Sequence, residues 1–78
     1  MAMPKLVEHP RIEINPKKLN GTPVVAGTRV PVSSVLVELA AGTPEKEVQQ
    51  QYNLTAADVR ACIGFAAWVV ERSGAEAA

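Results

Sequence analysis

The sequence predicts a small α+β domain, in which a short N-terminal β-hairpin or strands precede a three-helix, helix-turn-helix-like body. Two observations support this: β-branched runs surround a glycine in the first half, and apolar residues at helical spacing follow. At 78 residues the chain is expected to form one domain over 9–72, with a flexible leader over 1–8 and a flexible tail over 73–78. Such a small core is marginally stable, and a homodimer is a common remedy.

The first strand is predicted over residues 9–14, where apolar Ile12 and Ile14 alternate with charged Arg11 and Glu13. This alternation is typical of a half-buried strand. A short edge strand leaves backbone groups free for another chain. Ile12 and Ile14 are therefore candidates for a partner or dimer interface.

Residues 20–32, Asn-Gly-Thr-Pro-Val-Val-Ala-Gly-Thr-Arg-Val-Pro-Val, predict a β-hairpin with arms at 24–25 and 28–32. Gly27 suits the corner because glycine reaches positive φ without steric cost. Pro31 cannot donate to a strand ladder, so it should end the second arm just before a helix.

The first helix is expected to begin with Ser33 or Ser34 as its N-cap and to end at Gly42. Its apolar stripe consists of Val35, Leu36, Leu39 and Ala40. A short second helix is then expected to begin at Thr43 and Pro44, with Thr43 as its N-cap, and to end near residue 51.

The third helix is predicted from 56 to about 72, with Thr55 as its N-cap and Asp58 completing a capping box. The tight turn at residues 53–54, with Leu54 buried, gives the last two helices helix-turn-helix geometry.

This third helix is apolar nearly all round, whereas a surface helix normally keeps a polar face. A domain of this size can hardly cover all of it. Its C-terminal half is therefore predicted to be an interface, with a second copy or with another protein. The candidate contacts are Phe65, Trp68, Val69 and Arg72, although Phe65 and Trp68 are also suited to the core.

The chain carries eight basic and eight acidic residues. A domain whose affinity came mainly from neutralising phosphates would be clearly basic. Any DNA binding should therefore be weak for one copy and depend on a dimer or complex.

Residues 20–32, with the segments 14–16, 41–45 and 52–59, resemble the pattern of domain-of-unknown-function family 433, DUF433. The resemblance extends over about residues 9–68. It implies a VapB-type antitoxin with a winged-helix-like domain, paired with a PIN-like ribonuclease toxin. The leading hypothesis is therefore the antitoxin of a type II toxin–antitoxin system that also binds its own promoter. The alternatives are a stand-alone dimeric DNA-binding transcriptional regulator and a purely structural interaction module.

The candidate DNA contacts lie at the start of the third helix and at two further cations; they are Thr55, Ala56, Ala57, Arg60, Arg29 and Lys46. Arg60 alone among the helix residues offers strong contacts to guanine or phosphate, and Asp58 would repel phosphate. Each has a structural alternative. The start of the third helix would be an ordinary capped helix start, and Lys46 would be solvated. Arg29 would form an ion pair with Glu13 or Glu38, or hydrogen bonds to local carbonyls.

No catalytic constellation, metal-ligand spacing or cofactor motif is evident, so the protein is not expected to be an enzyme. His9 lacks a companion ligand and is expected at the surface or a strand edge. Cys62 lies among apolar residues and is expected to be a packing residue. With no long apolar run and one cysteine, a cytoplasmic protein fits best.

Overall fold

The computed structural model describes residues 5–6, 9–17 and 19–77 and confirms the α+β fold class. A three-stranded antiparallel sheet has the order β1-β2-β3. Its strands are β1 (Lys5–Leu6), β2 (His9–Glu13) and β3 (Val24–Val25). Three helices follow: α1 (Val32–Ala40), α2 (Glu45–Tyr52) and α3 (Ala56–Ala77).

β2 is the central strand, because β1 pairs with one of its edges and β3 with the other. Ile12 lies opposite Val25 and is fully buried. The prediction that Ile12 contacts a partner is therefore wrong, since its side chain is enclosed by its own chain. Ile14 follows β2 and is half-buried against the core.

Secondary structure extends further towards both ends of the described chain than the sequence predicted. β1 pairs with β2 inside the segment that was expected to be an unpaired leader; residues 1–4, 7 and 8 lie outside the described residues. α3 continues past the expected end at Arg72 to Ala77. No proline stops it there, and Ala75, Glu76 and Ala77 are good helix formers.

The predicted hairpin has a regular first arm, but its second arm is not a strand. Gly27 occupies the corner with φ of 79°. Val24 and Pro31 form one isolated bridge. The Thr28 hydroxyl closes the turn, donating to the Val25 carbonyl over 2.7 Å and accepting from the Val30 N–H over 3.0 Å. The second arm forms no strand beyond this bridge, because Pro31 has no N–H and α1 begins at the next residue.

The N-cap predicted at Ser33 or Ser34 is wrong. Pro31 precedes α1, and no side chain caps this helix. The Val32 N–H instead donates to the Pro23 carbonyl over 2.9 Å. A tertiary backbone hydrogen bond thus satisfies one of the free donors of the first turn.

The cap predicted at Thr43 is also wrong, because α2 begins after Pro44. The Thr43 hydroxyl donates to the Glu38 carboxylate over 2.9 Å. Gly42 has φ of 94°, and its N–H donates to the Leu39 carbonyl, so the predicted end of α1 is confirmed.

The core lies between the sheet and the three helices. Its buried members are Ile12, Val25, Val32, Val35, Val48, Leu54, Val59, Cys62 and Phe65. Burial raises the pKa of the Cys62 thiol to about 11, with a smaller contribution from the Asp58 charge. Cys62 is therefore a packing residue, as the sequence predicted, and its thiolate is scarce near neutral pH.

In the part of the chain that the structure describes, no single helix is long and apolar enough to cross a membrane. α2 and α3 reach that length and apolarity only when they are taken together. Their axes bend by 106° at the turn between them.

We predict that Ile12→Ala lowers the free energy of unfolding by about 2–5 kcal/mol, because it leaves a cavity at the centre of the sheet. Urea denaturation measures this loss. Ile14→Ala is the control and should cost less, because Ile14 is only half-buried. Equal losses for the two variants would contradict this account of β2.

Candidate functional site

α2 and α3 form a helix-turn-helix unit. Asn53 ends α2 in the left-handed conformation, with φ of 57° and ψ of 50°. Leu54 is buried as predicted, and its N–H donates to the Gln49 carbonyl over 2.8 Å. The bend of 106° lies within the roughly 90–120° typical of this motif.

The start of α3 is held by a capping box and by an ion pair from the sheet. The Asp58 N–H donates to the Thr55 hydroxyl, and the Thr55 N–H donates to the Asp58 carboxylate, each over 3.1 Å. The predicted capping box is therefore confirmed. Arg11 on β2 also donates to Asp58 over 3.1 Å. This pair has no local signal in the sequence, because the two residues meet only when α3 packs on β2.

Thr55 and Arg11 together determine the protonation of the Asp58 carboxyl group. Burial alone would raise the pKa of its carboxyl, but the hydrogen bonds from Thr55 and the Arg11 guanidinium outweigh that effect. The pKa lies below the ordinary value of 3.8. The ionised carboxylate therefore stabilises the fold above that value, and this contribution is lost as the pH falls towards the lowered pKa.

The structure brings four of the six candidate DNA contacts together at the start of α3. Thr55, Ala56 and Arg60 are exposed there, and Ala57 is partly exposed. Small side chains beside an exposed guanidinium allow a close approach to a groove of DNA.

Arg29 and Lys46 lie elsewhere, on the loop before α1 and on the first turn of α2, and both are exposed. The ion pair predicted between Arg29 and Glu38 does not form between the described residues. Within that part of the chain, no hydrogen bond or ion pair joins Arg29 or Lys46 to the start of α3. The structure therefore does not gather them into one site with Arg60.

An aromatic cluster joins β2 to the middle of α3. The ring of His9 stands edge-on to Phe65 and Trp68, with centroids 5.6 and 5.2 Å away. The Arg72 guanidinium carbon lies 4.1 Å from the Trp68 ring centroid. His9 Nε2 is buried and has no hydrogen-bond partner among the described residues. His9 is thus packed against aromatic rings. The sequence indicated only that His9 lies on the first predicted strand, not which side chains it would contact.

Of the four predicted interface residues on α3, Phe65 belongs to the core and is only 7% exposed. Trp68 is half-buried in the aromatic cluster, and Arg72 covers its ring. Val69 is 40% exposed, and the adjacent Val70, which the sequence analysis did not select, is 67% exposed.

An apolar groove of about 250 Å³ runs between α1 and the C-terminal half of α3. It is lined by Thr22, Pro23, Val32, Ser33, Leu36, Phe65, Ala66, Val69 and Val70. We refer to it as the α1–α3 groove. The excess apolar surface predicted for α3 is thus partly left uncovered by this chain.

A second, more polar pocket of about 340 Å³ lies between β2 and the first turns of α3. β2 contributes His9, Pro10 and Arg11, and α3 contributes Ala57, Arg60 and Ala61. We refer to it as the β2–α3 pocket. Among the described residues, no three His, Cys, Asp or Glu side chains are placed to hold a metal ion.

The fold and these surfaces define a small α+β domain with a helix-turn-helix. Residues 12–66 match the family described as protein of unknown function DUF433, and the chain belongs to this family. The crystal structure of Rv2018 from Mycobacterium tuberculosis is similar, with a TM-score of 0.63 and 27% identity. The match covers 81% of this chain but only 29% of Rv2018. No curated protein matches the chain.

We predict that Asp58→Ala lowers the free energy of unfolding at pH 7 by about 1–2 kcal/mol, because it removes charged hydrogen bonds at the start of α3. The difference from the unmutated protein should shrink as the pH falls below about 3.8, where Asp58 of the unfolded chain becomes protonated. Urea denaturation at several pH values measures both effects.

Glu71→Ala is the control, since it removes an exposed carboxylate from the same helix. It should change the stability little at any pH. A difference for Asp58→Ala that was as large at pH 3 as at pH 7 would contradict the assigned role of the ionised carboxylate.

Proposed function

We propose that this protein is the antitoxin component of a type II toxin–antitoxin system. In this proposal it binds and neutralises a PIN-like ribonuclease toxin, and it binds its own promoter DNA. It acts in the cytoplasm, as a homodimer and without enzymatic activity. The observation that carries the proposal is the division of α3 into an exposed, polar-capped start and an apolar C-terminal half.

Support for a protein partner comes from the α1–α3 groove. Val69 and Val70 are exposed at its edge, and Leu36 lines it from α1. Burying apolar area of this kind is the main favourable term in protein association. An amphipathic segment of a partner is the natural occupant of such a groove. The resemblance noted from the sequence is the reason for choosing a PIN-like ribonuclease.

Support for DNA binding comes from the helix-turn-helix unit. The motif places the N-terminal residues of its second helix in the major groove. Arg60 is the exposed cation in that part of α3. The net charge of zero makes the binding of one copy weak, so a dimer that presents two such helices suits this function better.

The helix-turn-helix geometry also favours a second candidate, a stand-alone dimeric DNA-binding transcriptional regulator. In that case the α1–α3 groove would be covered by a second copy of the chain. The two candidates differ in whether a ribonuclease is bound and inhibited. A purely structural interaction module would neither inhibit a ribonuclease nor bind DNA.

We predict that the chain copurifies with a PIN-like ribonuclease from its native lysate and abolishes the cleavage of RNA by that enzyme. Val70→Glu should weaken this binding by at least about tenfold, because an unpaired carboxylate would be buried in an apolar interface. Titration of the ribonuclease activity with each variant measures the effect.

Val37→Glu is a matched control, because Val37 is 65% exposed and Val70 is 67% exposed. Val37 lies outside the groove, so its substitution should leave inhibition unchanged. Failure of the unmutated chain to inhibit the ribonuclease would reject the antitoxin proposal. Equal inhibition by both variants would reject the groove as the docking surface.

We predict that Arg60→Ala weakens binding to a duplex from the protein's own promoter. It should also lower the slope of log K against log salt concentration by about 1, because one phosphate contact is lost. Fluorescence anisotropy at several salt concentrations measures both. Lys17→Ala removes an exposed positive charge outside α3 and should have little effect. Unchanged DNA binding by Arg60→Ala would contradict the role assigned to the start of α3.

A further inference from the structure

We infer that the β2–α3 pocket binds a phosphate group of the DNA backbone, with Arg11 and Arg60 as its two cationic contacts. The inference rests on the proposed DNA binding and adds a site on the sheet that the helix-turn-helix motif alone does not supply. Arg11 was not among the residues that the sequence indicated for DNA contact.

The geometry of the pocket suits an anion held between two walls. One wall is β2 with Arg11, and the other is the start of α3 with Arg60. Ala57 and Ala61 also line the α3 wall, and their small side chains let a bulky group approach the helix. Among the described residues that line the pocket, none is a carboxylate.

Arg11 keeps donors available for a ligand although it pairs with Asp58. Only Nη1 contacts the carboxylate, over 3.1 Å, and the Arg11 side chain is 54% exposed. A guanidinium has five N–H donors in a planar fork, so it can serve a carboxylate and a phosphate together. The ion pair also fixes the position of the side chain, which reduces the entropy lost when a ligand binds.

Asp58 is the nearby negative charge that opposes an anion, and its contacts limit this effect. Its carboxylate accepts hydrogen bonds from the Thr55 N–H and from Arg11. Its side chain is only 17% exposed. Among the described residues that line the pocket, the exposed charges are therefore those of Arg11 and Arg60.

The position of the pocket favours duplex DNA as the source of the phosphate. Arg60 and Ala57 belong to the first turns of α3, the part that a helix-turn-helix protein inserts into the major groove. Phosphates flank that groove, and contacts to them fix the register of a protein on DNA. Arg11 lies across the pocket from these residues, on the adjacent strand.

The test compares Arg11→Gln with Lys17→Gln, which removes an exposed positive charge outside the pocket. Binding to a fluorescent duplex from the protein's own promoter is measured by anisotropy between low and high salt. We expect Arg11→Gln to weaken binding about three- to tenfold at 0.1 M salt and to lower the salt slope by about 1. Lys17→Gln should leave both values unchanged. Arg11 is exposed, so its loss should not unfold the chain.

A second arm titrates inorganic phosphate into ¹⁵N-labelled protein and follows the amide signals of Ala57 and Ala61. If the duplex is not bound but phosphate shifts these signals in the unmutated chain and not in Arg11→Gln, the pocket binds a free phosphate. The anion site would then stand, and the proposed DNA binding would fail.

If the duplex is bound equally by the unmutated chain and Arg11→Gln, the inference is overturned while the proposed DNA binding stands. If neither the duplex nor phosphate is bound, both are overturned. The two arms therefore separate a failure of the pocket from a failure of the proposed function.

Discussion

The packing of α3 across the central strand β2 is the interaction on which the rest of the structure depends. Ile12 from the strand and Val59 from the helix are both fully buried in the shared core. The pair Arg11–Asp58 fixes the start of the helix to the same strand. Further along, His9 stands against Phe65 and Trp68. Because one strand holds the helix at several points, the direction of α3, and with it the helix-turn-helix unit, follows from the position of β2.

This arrangement also explains why α3 presents two different surfaces. Its first turns are capped by polar groups and lie beside the β2–α3 pocket, where two arginines are exposed. Its C-terminal half continues beyond the contact with β2, and there the exposed side chains include Val69 and Val70. α1 covers only one side of this half and leaves an apolar groove. A small domain cannot surround a helix of 22 residues, so part of its apolar surface is left for a partner.

Features that depend on neighbouring residues could be predicted from the sequence. The capping box at Asp58 and the helix end at Gly42 both follow from local backbone and side-chain chemistry. Features that depend on distant residues could not. Arg11 meets Asp58, and His9 meets Phe65 and Trp68, only in the folded chain. The apolar excess of α3 was evident in the sequence, but which part of it stays exposed depends on how α1 and β2 pack.

The measurement that tests this division of α3 most directly is a two-dimensional ¹H–¹⁵N spectrum of the chain, recorded while promoter DNA is added. We expect shifts in the amide signals of residues 55–61 and of Arg11, with the signals of Leu36, Val69 and Val70 unchanged. The largest shifts at Leu36, Val69 and Val70, or equal shifts along all of α3, would contradict this expectation. In that case the two halves of the helix would not serve separate partners.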